Sequence, residues 1–318
     1  MRNAFFETVT AIADRNPRVM LLSADLGYKL FDAFAARFPG RFLNMGVSEA
    51  NMVSVAAGLA LEGWRPIVYS IVPFATARCL EQIRDDVCAM DMPVVVTGVG
   101  GGLAYGVNGP THHGVDDLAL MRALPGMTVV CPCDPRQVTQ AITALVERGG
   151  PAYLRLERQG EPVLAETGHA PLVIGQPSLF RRGRGLALIA CGSVTREAMK
   201  AAEALTSDGF DPLVLSLHTL KPVMGLDALL RQHGVDAVAT IEEHGPAGGL
   251  FDAVSAHLAA AGMGLAMCQI GLPDRFLDVC GSQDSMCEEH GLRADAIRQR
   301  ILAGLSLHES RSVGPDRT

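Results

Sequence analysis

Long apolar runs are missing. Nothing in the 318 residues approaches the ~18 uninterrupted apolar positions that a membrane-crossing helix needs. The amino-terminal stretch Met1-Arg2-Asn3-Ala4-Phe5 passes straight into an amphipathic segment, with no secretory h-region. Cysteine is sparse: eight are scattered along the chain, Cys131 and Cys133 form a CxC, and no second pair has zinc-site spacing. That excludes a disulfide framework and leaves free thiols in a reducing cytoplasm as the expected state. Basic runs are missing beyond Arg181, Arg182 and Arg184, and the net charge is −7. Neither nucleic acid nor an anionic membrane is an expected partner. Two phosphate-binding signatures fail as well. No GxxxxGK[ST] occurs, and in Gly98-Val99-Gly100-Gly101-Gly102-Leu103 the third glycine of a dinucleotide fingerprint falls on Leu103. No internal repeat is present. A cytoplasmic protein is the expectation.

What is present points to an α/β fold. Hydrophobic residues make up 48% and charged residues 19%, a profile that separates the chain from disordered ones. Its length predicts two domains, each able to bury a core. Apolar spacing predicts a helix over 4–13, then short strands at 19–25, 41–45, 66–70, 93–97 and 128–130. Between them lie helices from Ser48, a candidate N-cap, to about Leu61, and from about Thr76 to Met90. Another starts at Asp134 with Pro135 in its first turn. Such alternation means a parallel sheet covered on both faces. A second α/β unit begins near Leu186 and runs on through 213–215 and 237–241. The expected layout is a first domain at 1–165, a linker at 166–185, a second domain at 186–305 and a frayed tail at 306–318.

Polar residues follow the carboxyl ends of the strands, where parallel sheets place their ligands. Asp25 ends the first strand, Glu49 follows the second, Phe74 the third, and His112 lies in the loop after the fourth. Each has a plain alternative: Asp25 as a helix cap, Phe74 as core, His112 or His113 as a loop histidine. Glu49 in a first helical turn also favours the helix dipole. Yet the residues after Glu49 are mostly small or apolar, which predicts a buried helix and a shielded carboxylate that needs a purpose.

The series Ser23-Ala24-Asp25-Leu26, Gly46-Val47-Ser48-Glu49-Ala50-Asn51-Met52 and Asn108-Gly109-Pro110-Thr111-His112-His113-Gly114 resembles the C-terminal half of transketolase. It also resembles the matching part of deoxyxylulose-phosphate synthase. More distantly, it is similar to the β subunit of the decarboxylating component of 2-oxo-acid dehydrogenases. The likeness runs from Arg2 to about Leu302, and Glu242-Glu243-His244-Gly245 with Gly248-Gly249-Leu250 resembles the family's C-terminal domain. It implies two doubly wound domains with mainly parallel sheets, a pyrimidine-binding domain and a transketolase C-terminal domain.

For the site, the resemblance implies thiamine diphosphate as cofactor. Glu49 takes the part of the glutamate bonded to N1′ of the aminopyrimidine, which favours the imino tautomer that accepts the thiazolium C2 proton. Asp25 is implied to support the cofactor pocket and Phe74 to pack on the pyrimidine, one position off the family's spacing. His112 is implied to contact substrate oxygens. Arg2, Lys29 and Arg158 occupy or neighbour positions of substrate-binding groups, where a substrate phosphate is the implied partner and solvated surface cations the alternative. Asn108, a candidate substrate contact, stands where transketolase has an aspartate that reads a sugar hydroxyl. Gly100 stands where it has a further substrate-contacting histidine. Both departures point away from the standard pentose phosphates.

The family holds Mg²⁺ and the diphosphate with a Gly-Asp-Gly motif, and this chain has none, so no metal ligand is assigned to it. The resemblance therefore implies an N-terminal transketolase subunit as partner, carrying the diphosphate and metal site. This chain would self-associate as the inner dimer of a heterotetramer. The implied activity moves a two-carbon ketol unit between sugar or sugar-like phosphates. A decarboxylating subunit, of synthase or oxo-acid dehydrogenase type, is the alternative, and a non-catalytic scaffold a third reading.

Overall fold

A run such as Val-Met-Leu-Leu-Ser, with no polar alternation, must be covered on both faces, and a parallel sheet flanked by helices does this. A computed structural model describes residues 1–27, 29–157, 160–164 and 171–312. The first half runs α1 (Arg2–Arg15), β1 (Val19–Ser23), α2 (Asp32–Arg37), β2 (Phe42–Asn44), α3 (Glu49–Leu61) and β3 (Arg65–Ile71). It continues with α4 (Val72–Ala75), α5 (Leu80–Gln82), β4 (Val95–Val99), α6 (Asp117–Ala123), β5 (Thr128–Val130), α7 (Pro135–Arg148) and β6 (Ala152–Leu156). The second half holds β7 (Ser178–Arg181), β8 (Gly185–Ala190), α8 (Thr195–Ser207), β9 (Leu213–Ser216), β10 (Thr219–Lys221) and α9 (Leu226–Gln232). It ends with β11 (Val235–Ile241), α10 (Leu250–Ala260), β12 (Ala266–Ile270), α11 (Gln283–Glu289) and α12 (Ala294–Ser312). No helix among the described residues is long and apolar enough to cross a membrane.

The fold is α/β with two mainly parallel sheets. A seven-stranded sheet has the order β10-β5-β6-β4-β3-β1-β2, and a five-stranded one the order β12-β11-β8-β9-β7. β10 and β7 are the antiparallel members, each on an edge. β7 lies inside the stretch expected as linker. β10 follows β9 in sequence yet joins the other sheet, with Thr219 opposite Val130. The halves also share a core, in which Met52, Val68 and Leu118 belong to the same apolar cluster as Leu215, Val238 and Leu250.

Local signals hold where they are strong. Asp134 caps α7, its Oδ1 accepting from the Gln137 N–H at 2.7 Å, with Pro135 in the first turn. Ser48 takes the N-cap position of α3, but its hydroxyl makes no capping bond. The helix expected over 76–90 is broken. α4 gives way to a 3₁₀ turn at Ala77–Cys79, then α5, then a π turn at Ile83–Cys88. The causes are local. The Thr76 hydroxyl donates back to Val72 O at 2.7 Å, and the Cys79 thiol to Phe74 O at 3.1 Å. Side-chain bonds to the preceding turn bend helices, and π turns recur at functional sites.

Candidate active site

Because β1, β2, β3 and β4 are parallel, the residues after their carboxyl ends gather along one rim of the sheet. Glu49 opens α3 just past β2 and is 2% exposed. Its Oε1 accepts from Ser70 Oγ at 3.2 Å, and its Oε2 pairs with Arg78 Nη1 at 2.7 Å. The Arg78 side chain is 45% exposed, and its guanidinium carbon lies 4.2 Å from the centre of the Phe74 ring. Phe74 in turn meets the His112 ring edge-on, with centroids 5.1 Å apart and planes at 72°. His112 Nδ1 is paired with Thr111 Oγ1 at 3.0 Å. Three residues expected from the sequence, Glu49, Phe74 and His112, thus form one cluster with Arg78 as its link.

The two neighbouring histidines separate. His112 is half-buried at the cluster, whereas His113 is buried with Nε2 3.4 Å from Gly106 O, and burial holds its pKa below the ordinary value. Cys79 lies beside the cluster, but burial, then the negative charge of Glu49, pushes its thiol up to about 12. A thiolate nucleophile is therefore not available there at neutral pH.

The other expected residues have their own places. Asp25, exposed and at φ 53°, accepts from Asn44 Nδ2 at 3.0 Å and donates its N–H to Asn44 Oδ1 at 3.2 Å. Lys29 is exposed at φ 64° in the loop after β1, and Arg2 is half-buried at the start of α1. Asn108 is exposed in the 3₁₀ turn Gly106–Asn108. Arg158 lies outside the described residues.

Arg78 and Ser70 are the residues that sequence reasoning missed. Arg78 sits four residues after Phe74, a spacing that juxtaposes side chains on a helix, but the signal is generic and the expected helix began only at 76.

The second polar cluster serves a different end. Glu242 accepts the N–H groups of Leu250 and Phe251 at 2.5 and 3.0 Å at the start of α10. Glu243 accepts from Leu103 N–H at 3.0 Å and from Gln283 Nε2 at 3.1 Å, and Gln283 also donates to Glu157 at 3.0 Å. Arg155 donates to Gly114 O at 2.7 Å and Glu243 O at 2.9 Å. The glycine run leaves room for this: a Cβ on Gly101 would lie 2.2 Å from Arg155 Nε, and one on Gly102 2.5 Å from Glu243 Oε2. Loop, β6 and second domain are clasped together here.

Residues 1–162 match the transketolase pyrimidine-binding domain, and residues 175–297 match the transketolase C-terminal domain. The chain belongs to the transketolase family. It is 33% identical over 304 residues to a protein of Methanocaldococcus jannaschii described as a transketolase C-terminal section, covering 95% of each. It is 36% identical over 316 residues to the 1-deoxy-D-xylulose-5-phosphate synthase of Thermomicrobium roseum, covering 96% of this chain but 49% of that enzyme. The chain thus spans about half the length of that relative. A solved split-gene transketolase, an inactive β4 tetramer, is similar at TM-score 0.85 and 30% identity, over 96% of this chain and 98% of that one. Within the transketolase architecture, the Glu49 cluster lies in the pyrimidine-binding half, and the Glu242-Glu243-His244 motif joins that half to the C-terminal domain.

Proposed function

We propose that this chain is the pyrimidine-binding and C-terminal subunit of a heteromeric, thiamine-diphosphate-dependent transketolase. It transfers a two-carbon ketol unit between sugar or sugar-like phosphates in the cytoplasm. The observation that carries this reading is the pairing of a buried carboxylate oxygen, Glu49 Oε2, with the face of Phe74 beneath one shared cation. That donor set fits an aminopyrimidine, a flat ring with a nitrogen able to share a proton with a carboxyl. The cofactor, when bound, supplies the thiazolium that stabilises the substrate-derived carbanion.

The chain's own residues bind, orient and hold a proton. Ser70 fixes Oε1 of Glu49, so that Oε2 is the oxygen free to exchange partners and to hold the proton at the ring nitrogen. Phe74 covers the ring and excludes water. His112, with Nδ1 engaged by Thr111, keeps Nε2 for substrate oxygens. Asp25, fastened to Asn44, supports the pocket rim. Arg2, Lys29, Asn108 and Arg158 are the proposed substrate contacts.

The partner is an N-terminal transketolase subunit holding Mg²⁺ and the diphosphate, with this chain as the inner dimer of a heterotetramer. The missing Gly-Asp-Gly motif supports that division. The test is co-purification with the companion subunit, followed by thiamine diphosphate binding and ketol transfer from a ketose phosphate to an aldose phosphate. Transfer by the complex and none by the chain alone is expected; turnover by the chain alone overturns the reading. The likeness to the Thermomicrobium roseum synthase favours a second reading, a decarboxylating subunit. Release of CO₂ from pyruvate by the complex would select it.

A further inference from the structure

One guanidinium occupies both surfaces that the proposed cofactor ring requires. Arg78 holds Glu49 Oε2 at 2.7 Å while its carbon lies 4.2 Å from the centre of Phe74. We propose that Arg78 is an internal stand-in for the aminopyrimidine, closing the pocket of the unliganded subunit and yielding both contacts when the ring enters. This rests on the Glu49 reading above.

At 2% exposure the Glu49 carboxylate cannot be left without compensation, and Ser70 covers only one oxygen. A guanidinium meets the remaining need because it is planar, carries N–H donors along its edge and stacks on aromatic faces. These are the properties by which a flat aminopyrimidine would be recognised at the same place.

Arg78 is 45% exposed, so its head group can pass to water without a large desolvation change. It also sits on a single 3₁₀ turn, between α4 and α5, in a stretch where helical pairing changes from α to 3₁₀ to α to π. Arg155 differs on both counts: it is 3% exposed and lies on an interior strand. Because the closed form must open first, apparent cofactor affinity is lowered in proportion to the fraction of time that Arg78 occupies the pocket.

Thiamine is a suitable probe, since it carries the aminopyrimidine without the diphosphate end assigned to the partner. Its affinity is to be measured by calorimetric titration into the full isolated chain, as wild type, Arg78→Ala, Arg78→Met, Arg78→Lys and Glu49→Gln. Circular dichroism melts check folding. Arg78→Met keeps apolar packing against Phe74 if the alanine variant fails to fold. The expected result is about tenfold tighter binding by Arg78→Ala and Arg78→Met, the combined effect of one half-exposed ion pair and one cation–π contact. Arg78→Lys falls between them and wild type, and Glu49→Gln binds most weakly. Free guanidinium ion competes with thiamine in Arg78→Met and has little effect on wild type.

A folded Arg78→Met chain that binds thiamine no more tightly than wild type overturns the stand-in role, as does an absence of binding in both. If Glu49→Gln weakens binding while Arg78→Met gains nothing, only the stand-in falls. If Glu49→Gln binds like wild type, the Glu49 reading falls and takes the stand-in with it.

Discussion

Glu49 and Glu243 are both buried carboxylates, 2% and 4% exposed, and each follows the carboxyl end of a strand. What surrounds them differs. Glu49 is held by a serine hydroxyl and by a guanidinium that is nearly half in water. Glu243 is held by the Leu103 N–H and the Gln283 amide, with Arg155 bonded to its main-chain carbonyl and Glu157 sharing the same Gln283. Burial, then the charge of Glu157, pushes the Glu243 carboxyl from the ordinary 4.5 up to about 7. Burial alone therefore does not tell the two carboxylates apart; the exposure of their partners does. Glu243 is fixed from several sides and joins two domains, while Oε2 of Glu49 is held by a single, half-exposed guanidinium.

The largest way to sharpen this contrast is Glu49→Gln. In the assembled complex it is expected to lower ketol-transfer kcat by about 100-fold or more, the size typical of losing a proton-handling group, with a melting curve close to wild type. The matching change at the other carboxylate acts on stability instead. Gly102→Ala places a Cβ 2.6 Å from the Glu243 Cβ at a backbone φ of +61°, so a loss of about 2–3 kcal/mol is expected in denaturant titration.

Next in size is the pH dependence. A carboxyl with a raised folded pKa binds its proton more tightly in the folded chain. Its stabilising contribution is present below about 4.5 and is lost as pH rises through about 7. Glu243→Gln should therefore flatten that decline and raise stability at pH 8 by about 1–2 kcal/mol relative to pH 5, read as denaturation midpoints at the two pH values. A Gln variant less stable than wild type at the higher pH would break the contrast. The smallest effect is Ser70→Ala, which removes one bond to Oε1. It should cost within about 1 kcal/mol in stability and a few-fold in thiamine affinity.

Much of the frame was legible in the sequence because it is local. Short apolar runs marked β1, β3, β4 and β8, and the Asp134-Pro135 pair marked the start of α7. That Glu49, Phe74 and His112 lie near one another was legible because parallel strands deliver their following residues to one rim. Three features were not. The break at Thr76 depends on side-chain bonds within a segment whose apolar pattern reads as one continuous helix. Arg78 lies in the 3₁₀ turn of that break and pairs with Glu49, and no spacing rule links positions 49 and 78. Glu243 looked like a motif of the second domain, yet its partners include Leu103, which lies 140 positions away in the chain.

The excursion of β10 into the larger sheet carries a practical consequence. Cys131 N–H bonds His218 O at 2.7 Å, and Lys221 Nζ reaches Arg122 O at 2.9 Å, so the rim of β5 is finished by residues from beyond β9. Severing the polypeptide between β6 and β7 would bare that rim and the apolar seam beside it, inviting strand-to-strand clumping. The halves are tailored to each other and are not interchangeable modules. Any domain exchange with a relative should carry 219–221 along with the sheet they complete.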